Sequence, residues 1–238
     1  MQRRILYLPG LDGVANVIDK LQPHLPDAEL VPFSYPAGRR LTWVELADLV
    51  AAKLQALETR LLMGESFGGA VALKASIAHR GRAAGLFLVS AFSSQPEAFA
   101  AALGRTATRV LPRGVMKPVA RLLAGWKLAG TLSGEDRERF LKRYSELDYA
   151  DIAERLRLLA DFDVDDRLVG LCGPVDVLFG SEDPIAGSQN QRELWQRVPD
   201  VKLHQMDAYG HLVSHEVPIG VAARIRSWLQ RVEDADAG

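Results

Sequence analysis

Three residue types in this chain could together cleave an acyl bond. Gly64-Glu65-Ser66-Phe67-Gly68 has the form G-x-S-x-G. It lies between the apolar run Leu61-Leu62-Met63 and a Gly/Ala-rich stretch of helical character. That strand–turn–helix setting gives the motif its meaning: the turn is tight, flanking glycines avoid clashes, and the serine hydroxyl projects above a sheet at a helix N-terminus. A serine hydroxyl is a poor nucleophile at neutral pH and needs a base beside it. The chain has five histidines. His24 and His79 fall on or beside expected helices, and His204 falls inside an expected strand. His211, in Asp207-Ala-Tyr-Gly-His211, follows the last expected strand, at the sheet edge where parallel α/β folds gather their ligands. His211 is therefore the expected base, and His215, four residues on, is its rival.

The acid that orients the base should come from a loop after an earlier strand, in the chain order Ser…Asp/Glu…His. Phe179-Gly180-Ser181-Glu182-Asp183-Pro184 meets this requirement. Asp183 is preferred because Pro184 fixes the backbone after it; Glu182 is the neighbour that could take its place. The loop after Ser90 has no carboxylate before Glu97. A tetrahedral intermediate needs N–H donors aimed at its oxyanion. The N–H of Phe67 is one expectation. That of Leu11, in Pro9-Gly10-Leu11-Asp12-Gly13, is the other.

These residues need elements to position them. Short apolar runs alternate with helix-period segments, as in a parallel sheet covered by helices. The strands are expected at Arg4–Leu8, Glu29–Tyr35, Arg60–Met63, Gly85–Ser90, Val175–Phe179 and Val201–Met206. Thr42 and Glu45 form a capping box ahead of the apolar face Trp43, Leu46, Val50, Leu54 and Leu57. A final helix is expected over Ile219–Val232, with Glu233–Gly238 as a frayed tail. Residues 94–168 show helical pattern without a convincing strand. They are expected to form a cap over a core made of residues 1–93 and 169–238. Ser133 with Asp136 looks like a helix start there, with Phe140, Leu141, Tyr144 and Leu147 on its apolar face. Ile152, Leu156 and Leu159 mark a second helix.

Ser66 in GESFGG, Asp183 in FGSEDPI and His211 in AYGHLVSHEVP resemble the three signatures of the α/β-hydrolase superfamily, over residues 5 to 232. The resemblance implies a nucleophile, an acid and a base at these positions, with PGLDG as the oxyanion loop. It extends to the small capped carboxylesterases that include pimeloyl-acyl-carrier methyl esterase. Pro9 stands where the family usually has a histidine. The usual leading strands are missing, which implies a reduced, mostly parallel α/β sheet of about six strands.

The expected activity is hydrolysis of a carboxylic ester through an acyl-enzyme. A thioester or a carrier-linked ester is the alternative, and lactonases, C–C hydrolases and perhydrolases share the constellation. A binding protein that has lost turnover is the alternative of another class. Composition narrows the rest. The chain has 238 residues, 48% hydrophobic and 25% charged, enough for one α/β domain with a modest insertion. A net charge of -1 gives no reason to expect nucleic-acid binding. The single cysteine, Cys172, allows no intrachain disulfide, so the cytoplasm is the default compartment. No run is long and apolar enough for a signal peptide or transmembrane helix. Along the chain the histidines lack carboxylate or cysteine partners at ligand spacing, so no metal is expected, and no phosphate-cradling loop or other cofactor site is visible. From Ala98 to Gly134 there is no acidic residue, yet Arg105, Arg109, Arg113, Lys117, Arg121 and Lys127 are present. Such a run is ordinarily a solvated face; its functional reading is an acidic partner such as a carrier protein.

Overall fold

The computed structural model describes residues 2–96, 131–132, 134–147, 149–186 and 189–238. The basic run from Arg105 to Lys127 and the expected helix start at Ser133 lie outside the described residues. Six strands form one all-parallel sheet: β1 (Arg3–Leu8), β2 (Ala28–Pro32), β3 (Leu61–Glu65), β4 (Gly85–Val89), β5 (Val175–Gly180) and β6 (Val201–Met206), in the order β2-β1-β3-β4-β5-β6. Side chains alternate across a strand, and the apolar runs accordingly feed two cores. Leu6, Leu8, Leu62, Leu86, Leu88, Val175 and Val177 face one side. Ile5, Tyr7, Met63, Phe87, Val89 and Leu178 face the other. A strand buried on both faces must be apolar throughout, which is why these segments read as continuous runs.

The first core is covered by α2 (Trp43–Ala56) and α3 (Phe67–Ala78). Thr42 and Glu45 form the capping box of α2, which sets its start. The second core is covered by the short α1 (Ile18–Leu21) and, further along the chain, by a long C-terminal helix. Between β4 and β5 lie α4 (Gly134–Glu146) and α5 (Tyr149–Leu159), then a 3₁₀ turn, Asp165–Gly170. Ile152, Leu156 and Leu159 of α5 join the first core together with Phe162 and Val164. Backbone bonds from Gln95 to the Phe162 carbonyl and from Val164 to the Ser93 carbonyl close the base of this segment. The chain continues through α6 (Gln189–Trp195), the single turn α7 (Val213–Glu216) and α8 (Pro218–Ala237).

Two expectations are corrected. The second strand ends at Pro32 rather than Tyr35; Tyr35 instead turns its hydroxyl onto the Pro9 carbonyl at 2.9 Å. The C-terminal residues are not frayed: α8 runs on to Ala237. Arg3 pairs with Glu233, and Arg60 lies 3.9 Å from Asp236, so the acidic tail is held by cations from the start of β1 and β3. Among the described residues no helix is long and apolar enough to cross a membrane.

Candidate active site

The strand order reverses at β1, which has β2 on one side and β3 on the other. In open α/β sheets a crevice forms at such a switch point, outside the carboxyl ends of the strands. The loop after β1 carries Gly10 and Leu11, and the turn after β3 carries Ser66. Both line the same small cavity of about 50 Å³ with Tyr7, Glu65 and His211.

Ser66 stands between β3 and α3 with φ 52°, a left-handed conformation that a side-chain-bearing residue adopts only when its surroundings impose it. Here the imposed contact is Gly68. A Cβ on Gly68 would sit 2.0 Å from the Leu8 carbonyl oxygen, so α3 can start this close to β1 only with glycine there. The Ser66 N–H donates to the Val89 carbonyl at 2.9 Å, tying the turn to β4 as well. As the first residue of α3, Phe67 has an N–H without an intrahelical acceptor.

The structure brings Ser66, His211 and Asp183 together from three separate loops. His211 Nε2 lies 2.9 Å from Ser66 Oγ. Its Nδ1 lies 3.0 and 2.9 Å from the two carboxylate oxygens of Asp183. Asp183 Oδ1 also accepts from the backbone N–H groups of Ile185 (2.8 Å) and Ala186 (3.0 Å). All three side chains are buried. Burial alone would push the Asp183 carboxyl up and the His211 imidazole down. Their mutual attraction and hydrogen bond, with the two N–H donors on Asp183, prevail. Asp183 is held below its ordinary value and His211 above it. Glu182 is exposed, and it is Asp183 that meets the imidazole.

His215, the rival base, sits in α7 and lines the cavity beside Phe140, with ring centroids 6.5 Å apart. Burial, helped by nearby Lys20, pushes its imidazole down to about 4. The expectation that the histidines lack carboxylate partners holds only along the chain. In space His79 meets Asp48 at 2.8 Å and His204 meets Asp176 at 2.6 Å. Among the described residues no group of three or more metal-capable side chains gathers.

Two carboxyls at the cavity were not singled out by the sequence. Glu65 is buried beside Ser66, and its Oε2 accepts from the Tyr7 hydroxyl at 2.6 Å. Burial pushes this carboxyl up, opposed by the hydroxyls of Tyr7 and Ser214. Among the described residues Glu65 Oε1 has no hydrogen-bond partner. Asp12, in the loop after β1, is pushed by desolvation up to about 6, against a bond from the Val14 N–H and the nearby Arg155. The small cavity shares Asp12, Val14, Phe140 and His215 with a larger cleft of about 430 Å³ between the Asp12–Lys20 segment and α4.

The same architecture recurs among solved structures. A thermophilic esterase from Thermogutta terrifontis aligns with TM-score 0.79 at 21% identity, over 98% of this chain and 91% of its own. An enol-lactonase from Burkholderia xenovorans aligns with TM-score 0.80 at 16% identity, over 97% and 92%. An esterase from a Rhodococcus species aligns with TM-score 0.78 at 19% identity, over 97% and 91%. At these identities the likeness is one of fold. No curated protein sequence matches this one. The model of the alpha/beta hydrolase family matches residues 5–224, nearly the whole chain, and to that family this protein belongs.

Proposed function

We propose that the protein is a serine hydrolase that cleaves a carboxylic ester through an acyl-enzyme. The observation that carries this reading is the continuous relay Asp183–His211–Ser66, with both imidazole nitrogens engaged. Asp183 accepts a hydrogen bond from Nδ1–H and stays ionised, which leaves Nε2 free to take the proton of Ser66 as its oxygen attacks the ester carbonyl. The charge that develops on the carbonyl oxygen meets the N–H groups of Leu11 and Phe67. His211 then gives its proton to the departing alkoxide, and the ester bond breaks. Water, activated by the same imidazole, releases the acid and restores Ser66.

The cleft of about 430 Å³ falls within the range of small-molecule sites. It is the space this reading gives to the substrate beyond the scissile bond, with α4 as one wall. The esterases and the lactonase among the structural relatives support acyl–oxygen cleavage as the reaction class. The lone cysteine supports a reducing, cytosolic setting.

The test is labelling by a fluorophosphonate, followed by turnover of esters of graded acyl length and their matching thioesters. Covalent modification at Ser66, abolished in Ser66→Ala, with turnover of at least one ester series is the expected result. No labelling would favour a binding protein on a hydrolase scaffold. Thioester turnover far above that of the matching ester would move the substrate class, not the mechanism.

A further inference from the structure

The loop that carries Leu11 is held carbonyl by carbonyl. The Pro9 oxygen accepts from the Tyr35 hydroxyl at 2.9 Å. The Gly10 oxygen accepts from the Gly13 N–H at 2.9 Å. The Leu11 oxygen accepts from Arg155 Nη1 at 2.8 Å. The Leu11 N–H belongs to the middle of these three peptides, so its direction is set by what fixes the peptides on either side. Two of the three restraints reach in from elsewhere in the sequence, and the one on Leu11 comes from α5, 144 residues away.

Arg155 is built into this place. Its side chain is only 11% exposed. Its guanidinium carbon lies 5.1 Å from the Tyr35 ring centroid, so the two restraints brace each other. Asp151, one helical turn earlier, lies 4.0 Å from its Nη2. Beneath it the chain passes through Gly13 at φ 72°, where an added Cβ would come within 2.6 Å of Nη2. Glycine at 13 thus serves both the turn and the close approach of the guanidinium.

We infer that Arg155 is a positioning residue for the oxyanion loop: by holding the Leu11 carbonyl it fixes the N–H through which that loop stabilises the transition state. The inference rests on the proposed role of the Leu11 N–H. It also makes the oxyanion hole conditional on the seating of α5, since the restraint arrives from the segment between β4 and β5.

Arg157 provides the internal control. It leaves the same helix and donates to a backbone carbonyl of the core, that of Leu41, at 2.7 Å. It anchors α5 without touching the oxyanion loop. Arg155→Met and Arg157→Met should therefore lower Tm by similar amounts but part in their kinetics. Loss of an oxyanion donor outright costs about 10²–10³ in kcat. Loosening one should cost Arg155→Met about 10- to 100-fold in kcat, with KM within about 2-fold, while Arg157→Met keeps kcat within about 2-fold. Affinity for butylboronic acid, which binds Ser66 as a tetrahedral adduct, should fall in Arg155→Met in step with kcat/KM.

Equal kcat in the two variants, or an unchanged boronate affinity in Arg155→Met, would reduce Arg155 to an anchor and overturn the inference. Should Arg155→Met fail to fold, Arg155→Lys decides. Its ammonium keeps a charge near Asp151 but is too short to hold the Leu11 carbonyl in place. A lowered kcat at wild-type Tm supports the inference, and wild-type kcat sinks it. Failure of the wild-type protein itself to label at Ser66 would be a different result, removing the hydrolase reading and this inference with it.

Discussion

Two buried Asp–His pairs belong to the same two strands and the loops that follow them, and each spans 28 residues. Asp176 on β5 meets His204 on β6 at 2.6 Å. Asp183 and His211, in the loops that follow those strands, meet at 2.9 Å. Residue types, burial and separation are nearly the same, so none of these can be what makes one pair chemical. The difference lies in the third group. The outer nitrogen of His211 faces a hydroxyl on a strained turn. In the other pair it is the carboxylate that gains a partner: Asp176 is also paired with Arg231 of α8, which reaches on to Asp200. One pair ends in the Ser66 hydroxyl, the proposed nucleophile, at the carboxyl edge of the sheet. The other ends in a cation that ties the C-terminal helix to β5.

The comparison breaks most sharply under mutation of the first pair's relay. Ser66→Ala and His211→Ala should each reduce kcat by about 10⁴–10⁶, with the double variant little worse, because the residues act as a unit. Asp183→Asn should lose about 10⁴ by favouring the wrong imidazole tautomer. His204→Ala should leave kcat within about 2-fold. Steady-state kinetics on folded protein, checked by thermal melting, measures all five. A large kcat loss in His204→Ala would mean that the second pair is coupled to the chemistry.

The second pair should answer in stability instead. Asp176→Asn leaves Arg231 and His204 beside a neutral amide in a buried position. Breaking a buried ion pair costs about 3–5 kcal/mol, and the partial exposure of Arg231 reduces this to about 2–3. For a chain of this size that is a Tm lower by about 5–10 °C. Asp183→Asn should melt closer to wild type than Asp176→Asn does. The reverse order would show that the Asp183–His211 pair is the structural one.

The contrast also explains what could be read from the sequence. Both pairs stand in plain view as residue types. His204 could be set aside because it falls inside a strand, and His211 could be preferred because it follows one. The alternation of short apolar runs and helical segments placed all six strands, and Val201–Met206 falls on its expected limits. Loop position and chain order were enough to select Ser66, Asp183 and His211, which the structure brings into contact. What could not be read is what depends on distant packing. Tyr35 looks like the end of a strand until Pro9 receives its hydroxyl. Glu65 is the unspecified second residue of a motif until Tyr7 is found opposite it. Arg155 is one of two arginines on α5, and no local pattern marks it as the one that reaches Leu11. The acidic tail reads as disorder because its partners, Arg3 and Arg60, lie far back in the chain.

The smallest expected effect concerns Glu65, the carboxyl that separates the surroundings of the two histidines at the level of charge. His211 is raised first by Asp183 and then by Glu65. General-base catalysis requires the neutral imidazole, so kcat/KM should fall as pH drops through the His211 titration, and the acid limb reports its apparent pKa. An anionic Glu65 stabilises the imidazolium and holds that limb at higher pH. Glu65→Gln keeps the size and an acceptor for the Tyr7 hydroxyl but removes the charge. The limb should therefore move to lower pH, while the plateau above it stays within about 2-fold of wild type. Asp12 is the other carboxyl at the cavity, raised to about 6 by desolvation, and it faces Glu65 and Arg155 rather than His211. Asp12→Asn should leave the limb where it is. A limb moved by Asp12→Asn and not by Glu65→Gln would assign the influence to the wrong loop. A limb moved by neither would mean that Glu65 is already neutral where His211 titrates, and that Asp183 alone sets the base.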